Sequence, residues 1–351
     1  MENALDALLK EKGILLTDGA TGSNLFETGL ETGESPELWN DICPEKVAGL
    51  CQKFIDAGSD IVLTNSFGGT RYRLMLHGAA HRVAELNEKA ARLARQQADR
   101  AGRKVLVAGS MGPTGEIMQP LGTLSREDAA DAFEEQARAL KAGGADIFWI
   151  ETMSSREETE AAATGAARVG LPIITTFSVD TNGRTMMGLT PADIVEFAKS
   201  MPRQPYAIGV NCGVGPSESV AAVLNMKAAC AQHDFHPVII VKANCGVPEY
   251  VDGKIVYSGT REIMGDYAGI AIDAGATVVG GCCGTTPGHV AAMRGVIDGH
   301  VRRDPPDLEL LKARLGEIST GAQAQLRGEM SVAAGAVSDR GEERPRRRRR
   351  R

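Results

Sequence analysis

Long apolar runs are missing from this 351-residue chain. Nowhere do about 20 apolar residues follow one another, so no membrane-spanning helix is expected. The N-terminus, MENALDALLKEKG, also lacks a basic stretch followed by an apolar one. That argues against a secretory signal and for the cytoplasm. Aromatic residues are scarce at 4%, whereas glycines number 41, a mix that suits an α/β enzyme with many tight turns better than a β-sandwich. Histidines number six. None falls where a strand is expected to end, which counts against a lyase that holds a divalent metal on carboxylates and histidines.

What is present points elsewhere. Apolar residues make up 43% and charged residues 24%, enough to bury a large core. In a reducing compartment, seven cysteines indicate thiol chemistry or metal binding rather than disulfides. The charge is unevenly placed: Arg340–Arg351 carries a formal +6 in a chain of net charge −6, leaving −12 for residues 1–339. A nucleic-acid-binding fold would spread basic residues over a folded face, so no specific nucleic-acid partner is expected. The Arg346–Arg351 run still leaves one reading of another class, an arginine-tailed accessory protein that binds polyanions.

Short β-branched runs recur along the chain, at Ile14–Leu16, Ile61–Leu63, Val105–Ala108, Ile147–Ile150, Ile173–Thr176, Ala207–Val210, Val238–Val241 and Thr277–Val279. None alternates cleanly between apolar and polar, as expected of a parallel sheet covered on both faces. Helical patterns lie between them. Pro44 opens one with Val47, Leu50, Cys51, Phe54 and Ile55 on one face, Ser125 and Asp128 form a capping pair, and Pro216 and Pro287 stand at first-turn positions. Eight β/α units predict a closed (β/α)8 barrel over residues 1–303, with an open doubly wound sheet as the alternative. One further helix is expected within residues 304–319. Residues 320–351, rich in Gly, Ala, Ser and Arg, read as a disordered basic tail.

In such a barrel, chemistry sits where the strands end at their carboxyl side. The residues there are Thr17-Asp18-Gly19, Thr64-Asn65-Ser66, Gly109-Ser110-Met111-Gly112, Glu151-Thr152, Phe177-Ser178, Asn211-Cys212-Gly213, Asn244-Cys245-Gly246 and Gly281-Cys282-Cys283-Gly284. Cys212, Cys282 and Cys283 stand out. Adjacent side chains of a strand point to opposite faces, but a loop flanked by Gly280, Gly281 and Gly284 can take positive φ angles and turn both thiols the same way. Three thiolates suit a tetrahedral zinc ion, Zn2+, with its fourth position open. The alternative is three small buried hydrophobes.

The segments DGATGSNL, TNSFGG, GSMGPTGE, IETM, GVNCG and GGCCGT, in this order, resemble the homocysteine S-methyltransferases over residues 10 to 300 or so. That resemblance implies a barrel, one zinc held by Cys212, Cys282 and Cys283, and homocysteine bound through its own sulfur for conversion to methionine. It also implies that Asp18 and Glu151 take the substrate's amino group, with Gly19, Gly112 and the main chain near Thr114 allowing close approach. Asn211, Asn244 and Thr152 border the same site. Cys245 departs from the Asn-Ala-Gly usual there. It is a fourth thiol near the metal, a resting ligand that substrate displaces, or a small buried residue, and the last is the expectation.

The methyl donor is less legible. A quaternary ammonium is normally held in an aromatic cage. The positions where animal betaine-dependent relatives carry cage tyrosines are Gly68 and Thr152 here, with Phe67, Tyr72, Trp39 and Trp149 nearby in sequence. The bacterial betaine–homocysteine methyltransferases are the subgroup that the whole pattern resembles, so betaine is the expected donor. A methyl-corrinoid protein, as in a split methionine synthase, and S-methylmethionine are the alternatives. The sequence leaves the oligomeric state, including a homo-oligomer, open.

Overall fold

The computed structural model describes residues 3–180, 182–251 and 254–329. Eight parallel strands form one sheet: β1 (Leu15–Leu16), β2 (Ile61–Leu63), β3 (Leu106–Met111), β4 (Ile147–Met153), β5 (Ile173–Phe177), β6 (Ala207–Cys212), β7 (Val238–Ala243) and β10 (Val278–Gly281). Around the sheet the order is β1, β10, β7, β6, β5, β4, β3, β2. A parallel bridge between Thr17 and Ile61 brings the two ends together. The barrel is therefore nearly closed, and the doubly wound alternative falls away.

Alternate residues of the strands serve two cores. Leu15, Ile61, Leu63, Leu106, Ala108, Ile147, Trp149, Ile174, Ala207, Ile240 and Val278 fill the barrel. Leu16, Val62, Val107, Phe148, Ile150, Ile208 and Val241 pack outward under the helices. Both faces are apolar, which is why no alternation is visible in the sequence. The amino end of the barrel is plugged by a helix at Ala4–Lys12, whose Leu5 and Leu8 join the inner core. Asn3 and Asp6 close its first turn as a reciprocal capping box.

The expected helix starts are where the sequence signals put them. Pro44–Asp56, Pro216–Gln232 and Pro287–Ile297 each begin on proline, and Ser125 accepts the Asp128 N–H before Arg126–Ala142. Two features differ from expectation. An antiparallel hairpin, β8 (Pro248–Val251) with β9 (Lys254–Tyr257), is inserted after β7. The expected tail also begins too early, because Thr320–Leu326 is a helix. Its Gly321, Ala322 and Ala324 are buried, and it packs on the helix Pro216–Gln232. Gly321 N–H donates to Asn182 Oδ1 at 2.7 Å and Gln325 Nε2 to Gly183 O at 2.9 Å. Small residues read as a linker by composition, but here they allow close helix contact. From residue 330 on, Arg346–Arg351 included, that segment lies outside the described residues. Among the described residues no helix is long and apolar enough to cross a membrane.

Candidate metal centre and active site

Cys212 is the last residue of β6, and Cys282 and Cys283 follow β10, with β7 between them in the sheet. The three sulfurs lie within 4.8 Å of one another. Cys212 Sγ is 2.7 Å from Cys282 Sγ and 4.0 Å from Cys283 Sγ. The turn that gathers them rests on positive φ at Cys212 itself (58°), Gly213 (69°) and Gly284 (77°). Gly280 and Gly281 act differently from expectation, as strand residues with no positive φ. A Cβ on Gly280 would lie 1.8 Å from Thr17 Oγ1, and one on Gly281 2.2 Å from Thr285 Cγ2. These glycines let β10 press against its neighbours.

Four Zn–S bonds of about 2.3 Å in tetrahedral array place sulfurs about 3.8 Å apart. The Cys212–Cys283 separation fits that spacing. The Cys212–Cys282 pair would open by about 1 Å to admit an ion, well within reach of a glycine-flanked turn. The charges also fit. Hydrogen bonds from Cys212 and Cys282 lower Cys283 to about 3, whereas Cys212 is raised by its contacts with the other two sulfurs and by burial. Without a cation, then, one negative charge serves three sulfurs, and a dication removes the repulsion that prevents all three from ionising.

Two asparagines frame the cluster. Asn211 Nδ2 donates to Thr152 Oγ1 at 2.7 Å and lies 3.6 Å and 3.8 Å from the Cys212 and Cys282 sulfurs; Thr152 N–H returns a bond to Asn211 Oδ1 at 2.8 Å. Asn244 Oδ1 accepts the Cys283 N–H, and its Nδ2 donates to Gly213 O. The pairing of β4 with β5 slips between Ile150 and Met153, and Thr152 takes φ 62°. Positive φ at a β-branched threonine costs of order 1–3 kcal/mol, and such strain gathers at functional sites.

Cys245 is not a fourth member of the cluster. Its sulfur is buried against Gly259 O (3.3 Å) and His289 Nε2 (3.6 Å), and burial pushes the thiol up to about 11. Asp18 is buried, with Leu63 N–H on Oδ2 at 2.7 Å and Lys242 Nζ on Oδ1 at 2.9 Å. Glu151 is buried within β4, Ser110 Oγ donating to its Oε1. Burial raises its carboxyl to about 7 against the pull of Lys242, and the Cys282 charge adds to the rise. Gly19 is required by packing, since a Cβ there would lie 2.4 Å from Thr285 O. Gly112 is covered by the Phe67 ring, and Thr114 N–H and Oγ1 both donate to Glu158 Oε1.

The homocysteine S-methyltransferase family model matches residues 15–297, a span that holds the barrel and every residue of this cluster. The chain belongs to that family. Among family relatives it is similar to the methionine synthases of Mycobacterium tuberculosis (28% identical over 300 residues, 81% of this chain and 24% of the relative) and Mycobacterium leprae (29% over 310 residues, 83% and 25%). The chain thus spans about a quarter of the length of these curated relatives. Among solved structures it is similar to the homocysteine methyltransferase MmuM of Escherichia coli. The oxidised form matches at TM-score 0.68 and the metallated form at 0.67, each 26% identical and covering 84% of this chain and 99% of that one.

Lys242 and Tyr257 escaped the sequence reading, and Ser110 was placed on the rim without a role. Lys242 and Glu151 are the two charged residues inside the eight barrel strands, and a lysine within VIIVKA is itself a signal. Burial alone would lower the Lys242 pKa, but Asp18, Glu151 and Cys282 together hold it raised. Ser110 binds Glu151. Tyr257, from β9, packs its ring over Gly284 with its hydroxyl beside Cys283, and burial and that sulfur's charge raise its pKa.

Proposed function

We propose that this chain transfers a methyl group to the sulfur of homocysteine, giving methionine, with zinc held by Cys212, Cys282 and Cys283. The observation that carries this reading is the convergence of three sulfurs from two non-adjacent strands at the carboxyl end of the barrel. When bound, zinc supplies the charge that keeps the substrate sulfur as a thiolate, where a free thiol with pKa about 8.5 is mostly protonated at neutral pH.

The residues of the chain do the rest. Asn211 and Asn244 orient the ligand-bearing turns. Asp18 and Glu151 supply negative charge for the substrate ammonium. Glu151, near half-protonated at pH 7, gives up its proton as the ammonium arrives. In the transfer, the sulfur lone pair forms the S–CH3 bond as the donor's CH3–N bond breaks and its electron pair leaves with nitrogen. A quaternary ammonium therefore departs as a neutral tertiary amine, and proximity lowers much of the barrel-bound reaction's barrier. The barrel of residues 1–303 carries every group named, and three thiols that must stay reduced suit the cytoplasm.

Betaine is the donor of the first reading. Trp39 and Trp149 are buried, Tyr72 packs against Met118 and Leu124, and Phe67 covers Gly112, while Tyr257 stands beside Cys283. A second reading rests on the rim, where Phe26, Phe67, Ile117, Leu121, Met186, Met187, Val247 and Val256 stand exposed on the segments that follow five of the barrel strands. Such a collar suits a bulky donor such as a methyl-corrinoid protein. The test is purified, zinc-loaded enzyme with homocysteine and, in turn, betaine, S-methylmethionine and methylcobalamin. Methionine formed with betaine supports the first reading, methionine with methylcobalamin alone supports the second, and none with any donor overturns both.

A further inference from the structure

Asn211 serves two of the three cluster sulfurs, its Nδ2 lying 3.6 Å from Cys212 Sγ and 3.8 Å from Cys282 Sγ. Among the described residues no amide reaches the third sulfur, that of Cys283. Tyr257 stands there instead. Its ring covers Gly284, where a Cβ would lie 2.3 Å from Tyr257 Cγ, and its hydroxyl is beside the Cys283 sulfur.

The hairpin that carries this tyrosine is fastened to the cluster. Tyr257 ends β9 opposite Pro248, the first residue of β8, so it sits at the neck of the hairpin rather than at its tip. Cys245 and Gly259 close that neck. The Gly259 N–H donates to Cys245 O at 2.9 Å, and Cys245 Sγ donates to Gly259 O at 3.3 Å. A Cβ on Gly259 would lie 2.7 Å from the Cys245 sulfur, so the two segments approach this closely only with glycine there. The Cys245 N–H in turn donates to Cys283 O at 2.9 Å. The neck is thus tied by main-chain bonds to the residue whose sulfur the hydroxyl meets.

Three thiolates around a dication carry one net negative charge, and a thiolate substrate makes it two. A hydrogen bond to a ligand sulfur withdraws charge, so it is worth more once the substrate is in place. A thioether brings no charge and gains nothing from that bond. We propose that Tyr257 is a positioning residue whose hydroxyl donates to the Cys283 sulfur, so that the pocket favours the thiolate substrate over the neutral thioether product. This rests on the function proposed above and adds to it a determinant of selectivity carried by the inserted hairpin.

Tyr257→Phe in the full-length protein tests this, because it keeps the ring over Gly284 and removes only the hydroxyl. Calorimetry on the zinc-loaded form measures affinity for homocysteine, for 4-sulfanylbutanoate (the same thiol without its amino group) and for methionine. Cobalt in place of zinc reports the sulfur-to-metal charge-transfer band with no substrate present. The variant is expected to keep its zinc and to bind both thiols about tenfold more weakly, by the same factor, with methionine unchanged. Its charge-transfer band should move to lower energy, since a sulfur that has lost a donor holds its electrons less tightly. Thiol affinities and a band equal to those of wild type would show that the hydroxyl does not bond to the sulfur and overturn the proposal. Equal weakening of methionine would overturn it too, by showing that the tyrosine shapes the pocket without regard to charge. Wild type that holds zinc yet binds no homocysteine would instead defeat the functional reading, and the proposal with it.

Discussion

Asn244 accepts the main-chain N–H of Cys283 at 3.0 Å while its own amide donates to Gly213 O at 2.7 Å, so one side chain fastens the turn after β10 to the turn after β6. The three thiols come from those two turns. Partners of this kind fix the direction of ligand side chains, and their loss typically costs ten- to a hundred-fold in metal affinity. Asn244→Ala is therefore expected to weaken zinc by about that factor with all three sulfurs retained, measured by competition with a chromophoric chelator. Unchanged affinity would mean that the turns hold their shape without it.

The cysteines themselves should divide sharply. Cys212→Ala, Cys282→Ala and Cys283→Ala are each expected to abolish activity and stoichiometric zinc, because two thiolates leave the site short of a structural minimum. Cys43→Ala, Cys230→Ala and Cys245→Ala should keep both. Cys245 is the informative control, since it stands one residue from Asn244 but turns its sulfur to Gly259 and His289. Metal analysis beside a methionine assay decides the matter, and zinc loss in Cys245→Ala would contradict the geometry.

Much of this site was legible before any coordinates. Eight strands announce themselves as short β-branched runs ending at glycine or a polar pair, and the Cys-Cys loop announces itself by its glycines. The strand ends were less legible. Ser110, Glu151 and Asn211 look like loop residues because they are polar, yet each continues a strand, since the carboxyl end of the barrel is lined with polar groups. Lys242 was hidden for a related reason. A lysine after VIIV reads as a strand end, and only the closed sheet reveals that it crosses β10 to Asp18. The hairpin of β8 and β9 does carry a signal, Asp252-Gly253 between two runs of strand-forming residues, but it breaks the β/α repeat that organises the rest.

Glu151 gives a pH-dependent prediction. Its carboxyl is raised from 4.5 to about 7, so between those values the folded state binds more protons than the unfolded one. Stability must then fall as pH rises through that window. The glutamine variant has no such charge to bury. In metal-free, reduced protein, the stability of Glu151→Gln relative to wild type is expected to be flat below pH 4.5, to rise by up to about 3 kcal/mol between pH 4.5 and 7, and to level off above that. Urea titrations at several pH values measure this, and a pH-independent difference would show that Glu151 is not buried as described.

The C-terminal helix should matter to stability rather than to chemistry. A chain ending at residue 319 loses the buried contacts of Gly321, Ala322, Ala324 and Gln325, and with them the bonds to Asn182 and Gly183. Its thermal midpoint is expected to fall by several degrees, while zinc content per folded molecule stays constant. A chain ending at Glu329, which keeps each of those contacts, is the control. Equal midpoints for the two would show that the helix contributes nothing.

The central claim is that three cysteine sulfurs hold a zinc whose open position takes the sulfur of homocysteine. X-ray absorption at the zinc edge, recorded on the same sample before and after homocysteine is added, addresses it most directly. The account predicts three sulfurs at about 2.3 Å plus one lighter ligand at first, and four sulfurs afterwards. Fewer than three sulfurs at the start, or no added sulfur once homocysteine is present at saturating concentration, would contradict it.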